Sequence, residues 1–380
     1  MISACCFLYD ILCARHKKSL KKRLIFMRNM HKMGSRLTAH GSRLGWIDCL
    51  RGIAILLVLI GHLRIFGRVF SFQIYKFING FHMPLFFMLA GYLFKQERTF
   101  SELIHKIAHR YIIPYFILCG INLLIEIIIH FILGMEYDVP NYVRGIIYSR
   151  GTFECMPNCT PLWFLTALSS ALVIYFWITR IKSRILYFFA VVLCPVVSFL
   201  LAKYGCPKLF WNIDSALMGI IFIAFGHMIR TSDLLGKFEN LSLTKQISLL
   251  VIMFCVGTAG IMFNFNFGDG SVSFDNNHYG SLILMIIGAT GVSLVVFCVV
   301  RKIFADRSGF LGYLGQHTVF IMSFDFFANR IASHSLDFLG MHNVFTALTL
   351  KLAIIITGLM LWNMLIKRIH NENIRELMTF

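Results

Sequence analysis

Charge is scarce in this sequence. Asp, Glu, Lys and Arg make up 14% of its 380 residues while 58% are hydrophobic, whereas a soluble domain is typically about a quarter charged. That deficit excludes an ordinary soluble domain, because the surplus apolar surface needs lipid. Familiar chemical signatures are missing too. There is no zinc-type Cys/His spacing, no Walker loop and no Gly-rich dinucleotide fingerprint, and no metal is expected. No convincing internal repeat is present, which disfavours transporter folds built from duplicated halves. A secretory signal is not read either, since the short apolar stretch near the N-terminus precedes its basic run instead of following it.

What the sequence does contain is a succession of apolar stretches near the length that a ~30 Å hydrocarbon core requires at about 1.5 Å rise per residue. Ten spans are predicted: Ile47 to Phe66, Ile74 to Phe94, Tyr111 to Leu133, Pro161 to Thr179, Ile185 to Ala202, Leu209 to Ile229, Gln246 to Phe267, Gly280 to Val300, Gly309 to Asn329 and Val344 to Ile366. The expected fold is therefore all-α, a polytopic integral membrane protein of about ten transmembrane helices. Residues 1–45 form a basic arm, 46–368 the membrane domain and 369–380 a tail.

The formal charge of +18 invites a nucleic-acid partner, but its placement argues against one. With the N-terminus inside, the inner segments hold 26 of the 36 Lys and Arg and the outer side holds 8, as the positive-inside rule requires. Arg51 and Lys351 lie within spans. The segment GDGSVSFDNNHY lacks Lys and Arg and falls outside. Both termini are thus expected in the cytoplasm, with the arm, which includes RHKKSLKKR, lying along anionic lipid headgroups. Five of the 11 cysteines fall in spans, where free Cys behaves as a small hydrophobe. Only Cys155 and Cys159 share an outer loop, where an oxidising compartment would let them pair.

The first span, WIDCLRGIAILLVLIGH, places Asp48, Arg51 and His62 among apolar residues. Each ionisable group costs roughly 2.5–3.5 kcal/mol at a bilayer centre, so each asks for an explanation. At about 100° per residue, the steps from Arg51 to His62 return to nearly the same helix face, and Asp48 shares it. Asp48 and Arg51 belong at the cytoplasmic edge, with His62 roughly 22 Å from the start of the span. A structural explanation stands beside a functional one. Asp48 and Arg51 would form a local ion pair, Arg51 would snorkel, and His62 would bridge helices by hydrogen bonding. Histidine is also the side chain whose ordinary pKa suits general-base work near neutral pH.

These residues resemble the membrane acyltransferase-3 family, in particular its fucose 4-O-acetylase-like branch. The pattern is Asp48, Arg51-Gly52 and Gly61-His62 in the first helix, then FHMPLFFMLAGYLF with Ala90 where Ser is usual. KIAHRYIIP, LWFL from Leu162, LFWNIDSALMGIIFIAFGHMIR from Leu209 and YLGQHTVFIM from Tyr313 follow in the family's order, so the resemblance covers Trp46 to about Phe327. One departure is Asp325, which stands where relatives commonly have His. No hydrolase-like extracytoplasmic domain follows the last span, so acceptor handling is expected in the membrane domain or in another protein.

The resemblance implies transfer of an acyl group, usually acetyl from cytoplasmic acetyl-CoA, to a sugar hydroxyl at or beyond the membrane. Arg51, Lys106 and Arg110 would hold the phosphates of CoA, although the positive-inside rule alone accounts for Lys106 and Arg110. His62 would act as base or acyl carrier, with a carboxylate fixing its tautomer. Glu126 is the first candidate for that carboxylate and Asp325 the second. His82, Trp163, Asp214 and Asp325 are the candidate acceptor-side residues. Pro84 would open a kink or re-entrant turn beside His62, and Trp163 has interfacial anchoring as its alternative. The implied partners are acetyl-CoA, a glycan or lipid-linked saccharide and membrane lipid, in a bacterial cytoplasmic membrane. Two other readings stay open: succinyl transfer to glycan, and a transporter or flippase of a lipid-linked sugar.

Overall fold

The computed structural model describes residues 45–65, 68–69, 72–149, 156, 159–265, 272–305, 309–341 and 343–369. The basic arm and the tail lie outside the described residues, save for Gly45 and Ile369. So does Cys155. Cys159 is a free, buried thiol whose sulfur lies 3.6 Å from the Tyr142 hydroxyl.

Hydrocarbon offers no partner for peptide N–H and C=O groups, so apolar runs satisfy them internally by forming helices. They run in the order α1 (Gly45–Gly61), α2 (Phe72–Leu93), α3 (Phe100–Ile107), α4 (Ile113–Leu133), α5 (Val139–Tyr148), α6 (Trp163–Ile178) and α7 (Arg184–Lys203). Then come α8 (Ile213–Thr231), α9 (Leu234–Glu239), α10 (Leu243–Asn264), α11 (Leu282–Phe304), α12 (Gly309–Gln316), α13 (Thr318–Phe338) and α14 (Val344–Lys367). Between α1 and α2 the chain makes a two-residue antiparallel ribbon, Arg64–Ile65 against Arg68–Val69. A π-helical turn, Ala108–Ile112, joins α3 to α4 without a break. Thr99 and Glu102 close a capping box at the start of α3, satisfying two otherwise orphaned backbone donors.

The chain is an integral, multi-pass, all-α membrane protein. Seven stretches among the described residues are long and apolar enough to cross a membrane: Phe100–Leu133, Thr160–Ile178, Arg184–Lys203, Phe210–Thr231, Leu243–Asn264, Leu282–Phe304 and Phe345–Lys367. Three other predicted spans correspond to α1, α2 and α13. α1 has 17 residues, α2 carries Lys76, Asn79 and His82, and α13 carries Asp325, Asn329 and Arg330. Their polar groups are tolerable because much of each helix is covered by protein. α4, α7, α10 and α14 instead expose most of their apolar surface, as helices against lipid do.

Two predicted spans change shape. The first stops at Gly61, where the chain turns into the ribbon, so His62 sits one residue past the helix end. The ninth divides at His317 (φ −111°, ψ 24°) and then continues to Phe338. Pro84 produces no re-entrant turn, because α2 continues through it.

α2 forms the spine, packed against α8 and α11. Its contact with α8 is backbone to backbone. A Cβ on Gly226 would fall 1.8 Å from the Met88 carbonyl oxygen, and one on Gly91 would fall 2.0 Å from that of Ile223. α8 in turn packs on α6 and α7, and α13 on α14 and α4.

Candidate active site

α1 carries a polar cluster at each end. At its start, Asp48 is buried and accepts from Arg51 Nη1 at 3.3 Å and from Gln316 Nε2 at 3.0 Å. The acid lies in the first turn, where the helix dipole favours negative charge. Gly52 explains how α12 comes close enough to supply Gln316. A Cβ there would meet the Leu311 carbonyl oxygen at 2.0 Å, and one on Gly315 would meet that of Asp48 at 1.8 Å. The Asp48, Arg51-Gly52 and Tyr313–Gln316 motifs are thus one contact in space.

Other basic residues belong to the same end. Trp46 meets Tyr92 of α2 at 5.3 Å between ring centroids, and Arg301 lies over the Trp46 ring. Lys106 pairs with Glu97 at 2.5 Å. Arg110 is exposed on the π-helical turn. Arg51 is tied to α12 through Asp48, whereas Lys106 and Arg110 stand on the α3–α4 connection.

His62 occupies the other end of α1. Its backbone N–H still donates to the Val58 carbonyl at 2.8 Å, so the helical path carries one residue beyond Gly61. Its Nδ1 lies 2.5 Å from Asp325 Oδ2 on α13, and its ring stacks on Phe326 at 5.1 Å and 23°. Asp325 is fully buried, and its other oxygen lies 2.6 Å from Nζ of Lys351 on α14. Lys351 is fully buried as well and donates to the Leu59 carbonyl at 3.1 Å.

A carboxylate accepts, so Nδ1 must carry the ring proton, and Nε2 then presents a lone pair. Nε2 has no partner among the described residues, and the His62 side chain keeps 24% exposure. An imidazole held in this way can serve as an oriented general base.

The carboxylate at His62 is Asp325, not Glu126. Glu126 is buried on α4 and bound to Arg330 Nη2 at 2.7 Å, with His130 Nδ1 3.5 Å away. Arg330 lies five residues beyond Asp325, about 7.5 Å along α13. His82 is buried on α2, and its Nδ1–H donates to the Ile78 carbonyl at 2.9 Å. The two helix segments approach closely, since a Cβ on Gly61 would lie 3.3 Å from the Ile78 side chain.

Asp214 has its own set of donors at the start of α8. It accepts from Asn277 Nδ2 at 2.5 Å and from the backbone N–H groups of Leu209 and Ser215, fastening segment 272–279 to the start of α8. Trp163 is buried at the start of α6 with its indole edge-on to Phe164. In the sequence Lys351 stands only as a charge within a span. A lysine inside an apolar run was the available signal, but its partners lie on other helices.

The comparisons with known proteins bear on this constellation. The family model described as an acyltransferase domain, acyltransferase-3, matches residues 44–366. No curated protein and no solved structure matches. The matched region contains both ends of α1 and every partner of His62 named above.

Proposed function

The chain belongs to the acyltransferase-3 family, and from that premise we propose that it is an O-acetyltransferase of the fucose 4-O-acetylase-like kind. In this reading it moves the acetyl group of cytoplasmic acetyl-CoA to a hydroxyl of a cell-surface or lipid-linked glycan in a bacterial cytoplasmic membrane. The observation that carries the reading is the His62 imidazole, bound through Nδ1 to Asp325 with Nε2 open.

Nε2 takes the proton of the acceptor hydroxyl as its oxygen attacks the thioester carbonyl. The carbon–sulfur bond then breaks, and the CoA thiolate leaves with the proton returned by the imidazolium. Direct transfer needs no covalent enzyme. Transient acylation of Nε2 is the variant with two steps.

The distribution of Lys and Arg supports a cytoplasmic position for the Arg51 end, where Arg51, Lys106 and Arg110 suit CoA phosphates. Eleven residues, about 16 Å of helix, separate Arg51 from His62, a gap suited to the long thioester-bearing arm of CoA. His82 lies on the acceptor side of the base. Glu126 holds Arg330, and that pair lines the acceptor's approach along α13.

The test compares surface polysaccharide by mass spectrometry with the gene intact, deleted, and carrying His62→Ala at equal membrane abundance. Acetyl groups should vanish in the last two. Acetylation that persists with His62→Ala removes the base assignment, and a succinyl mass in the intact strain changes the donor.

A further inference from the structure

Among the ionisable groups of this site, Lys351 belongs to no motif and touches neither proposed substrate. It lies on α14, with its side chain entirely buried, against Asp325 Oδ1 at 2.6 Å. Its second contact, Nζ to the Leu59 carbonyl at 3.1 Å, reaches the last turn of α1, three residues before His62.

The two oxygens of Asp325 are thus divided, one facing an ammonium and the other an imidazole. That division decides which partner carries the positive charge. A buried carboxylate with the imidazole as its sole neighbour favours the ion pair in which His62 holds protons on both nitrogens. Such an imidazolium cannot accept a proton. With Lys351 present the carboxylate is already neutralised, and Nδ1–H still has its acceptor.

Neighbouring ionisable groups have partners of their own. His82, on α2, is bound through Nδ1 to the Ile78 carbonyl. Arg330, further along α13, is already paired with Glu126.

We propose that Lys351 is a positioning residue that keeps His62 a neutral base by taking up the charge of Asp325, while its bond to Leu59 fixes the end of α1. This rests on the reading of His62 as the base. It also explains how aspartate serves beside this histidine: Asp325 and Lys351 work as one neutral unit.

The test uses membrane vesicles from cells making the full chain, supplied with radiolabelled acetyl-CoA, with transfer to the endogenous glycan followed from about pH 5.5 to pH 9. Lys351→Met should move the acid limb of the rate profile upward by about 1–2 pH units, with activity recovering to within a few-fold of wild type at the alkaline end. Lys351→Arg, which keeps the charge, should stay near the wild-type limb.

A Lys351→Met limb that stays in place, with His62→Ala inactive in the same vesicles, overturns this inference and leaves the base assignment standing. Full activity in His62→Ala overturns both. Should Lys351→Met fail to accumulate, Lys351→Met combined with Asp325→Asn removes both charges. That double variant should accumulate, transfer at the lowered rate that loss of Asp325 imposes, and keep its acid limb near wild type; a limb raised by 1 unit or more would again refute the inference.

Discussion

Asp325 and Asp214 are both carboxylates buried in helices of one membrane domain, and they differ in who answers them. Asp214 is held by the Asn277 amide and two backbone N–H groups, donors that do not titrate in the physiological range. Asp325 is held by Lys351 and His62, an ammonium on α14 and an imidazole just past the end of α1. Burial alone does not identify a reaction site. A carboxylate among fixed donors is a fastening, whereas one between two proton carriers can set the protonation of either.

The comparison can be broken first at Asp325. Asp325→Asn should lower transfer per folded molecule by about 10²–10⁴-fold, the range associated with a general base, as measured with labelled acetyl-CoA in vesicles at matched abundance. Asp214→Ala should do the reverse. Transfer per folded molecule should change by less than a few-fold, while the donors left unsatisfied lower stability by about 1–3 kcal/mol, read as a loss of melting temperature in detergent. Equal losses of turnover in the two variants would erase the distinction.

A smaller effect sharpens it at the Arg51 end. Gly52→Ala forces a Cβ to within 2.0 Å of the Leu311 carbonyl oxygen and should cost about 1–3 kcal/mol as overpacking. Gly120→Ala, where nothing lies within 4 Å, should be neutral or stabilising by about 0.5–1 kcal/mol. Melting curves of the pair separate a packing role from a general intolerance of substitution.

The smallest effect concerns Lys208, in the connection between α7 and α8. Burial holds its ammonium below the ordinary value of 10.5, against the opposing pull of Asp214 and Asp275. The unfolded chain binds that proton more tightly, so this group makes the fold less stable at neutral pH. The deficit is relieved as pH rises through the folded value towards 10.5. Wild type should therefore gain stability over that alkaline interval, and Lys208→Met should show less of the gain. Identical pH–stability curves would contradict the assignment.

Much of this architecture was legible from sequence because hydrocarbon leaves so few options. Apolar runs had to be helices, and their approximate positions follow from length. Asp48, Arg51 and His62 stood out because charge within such runs is costly. What stayed hidden was the pairing between helices. Spacing along α1 puts three polar residues on one face, but nothing local says that α13 brings Asp325 to His62 while Glu126 meets Arg330. The break at His317 was concealed by continuous apolarity across it. The burial of Trp163 was concealed by its position near a predicted membrane boundary.

The bond from Lys351 to Leu59 spans 292 residues of chain, and this has a bearing on biosynthesis. At a ribosomal pace of about 5–20 residues per second, roughly 15–60 s pass between the emergence of the two partners. For that interval the end of α1 waits without its ammonium, and Asp325, made 26 residues before Lys351, waits about 1–5 s for its counter-ion. Whatever inserts the nascent chain must shelter a lone buried carboxylate until the final helix arrives.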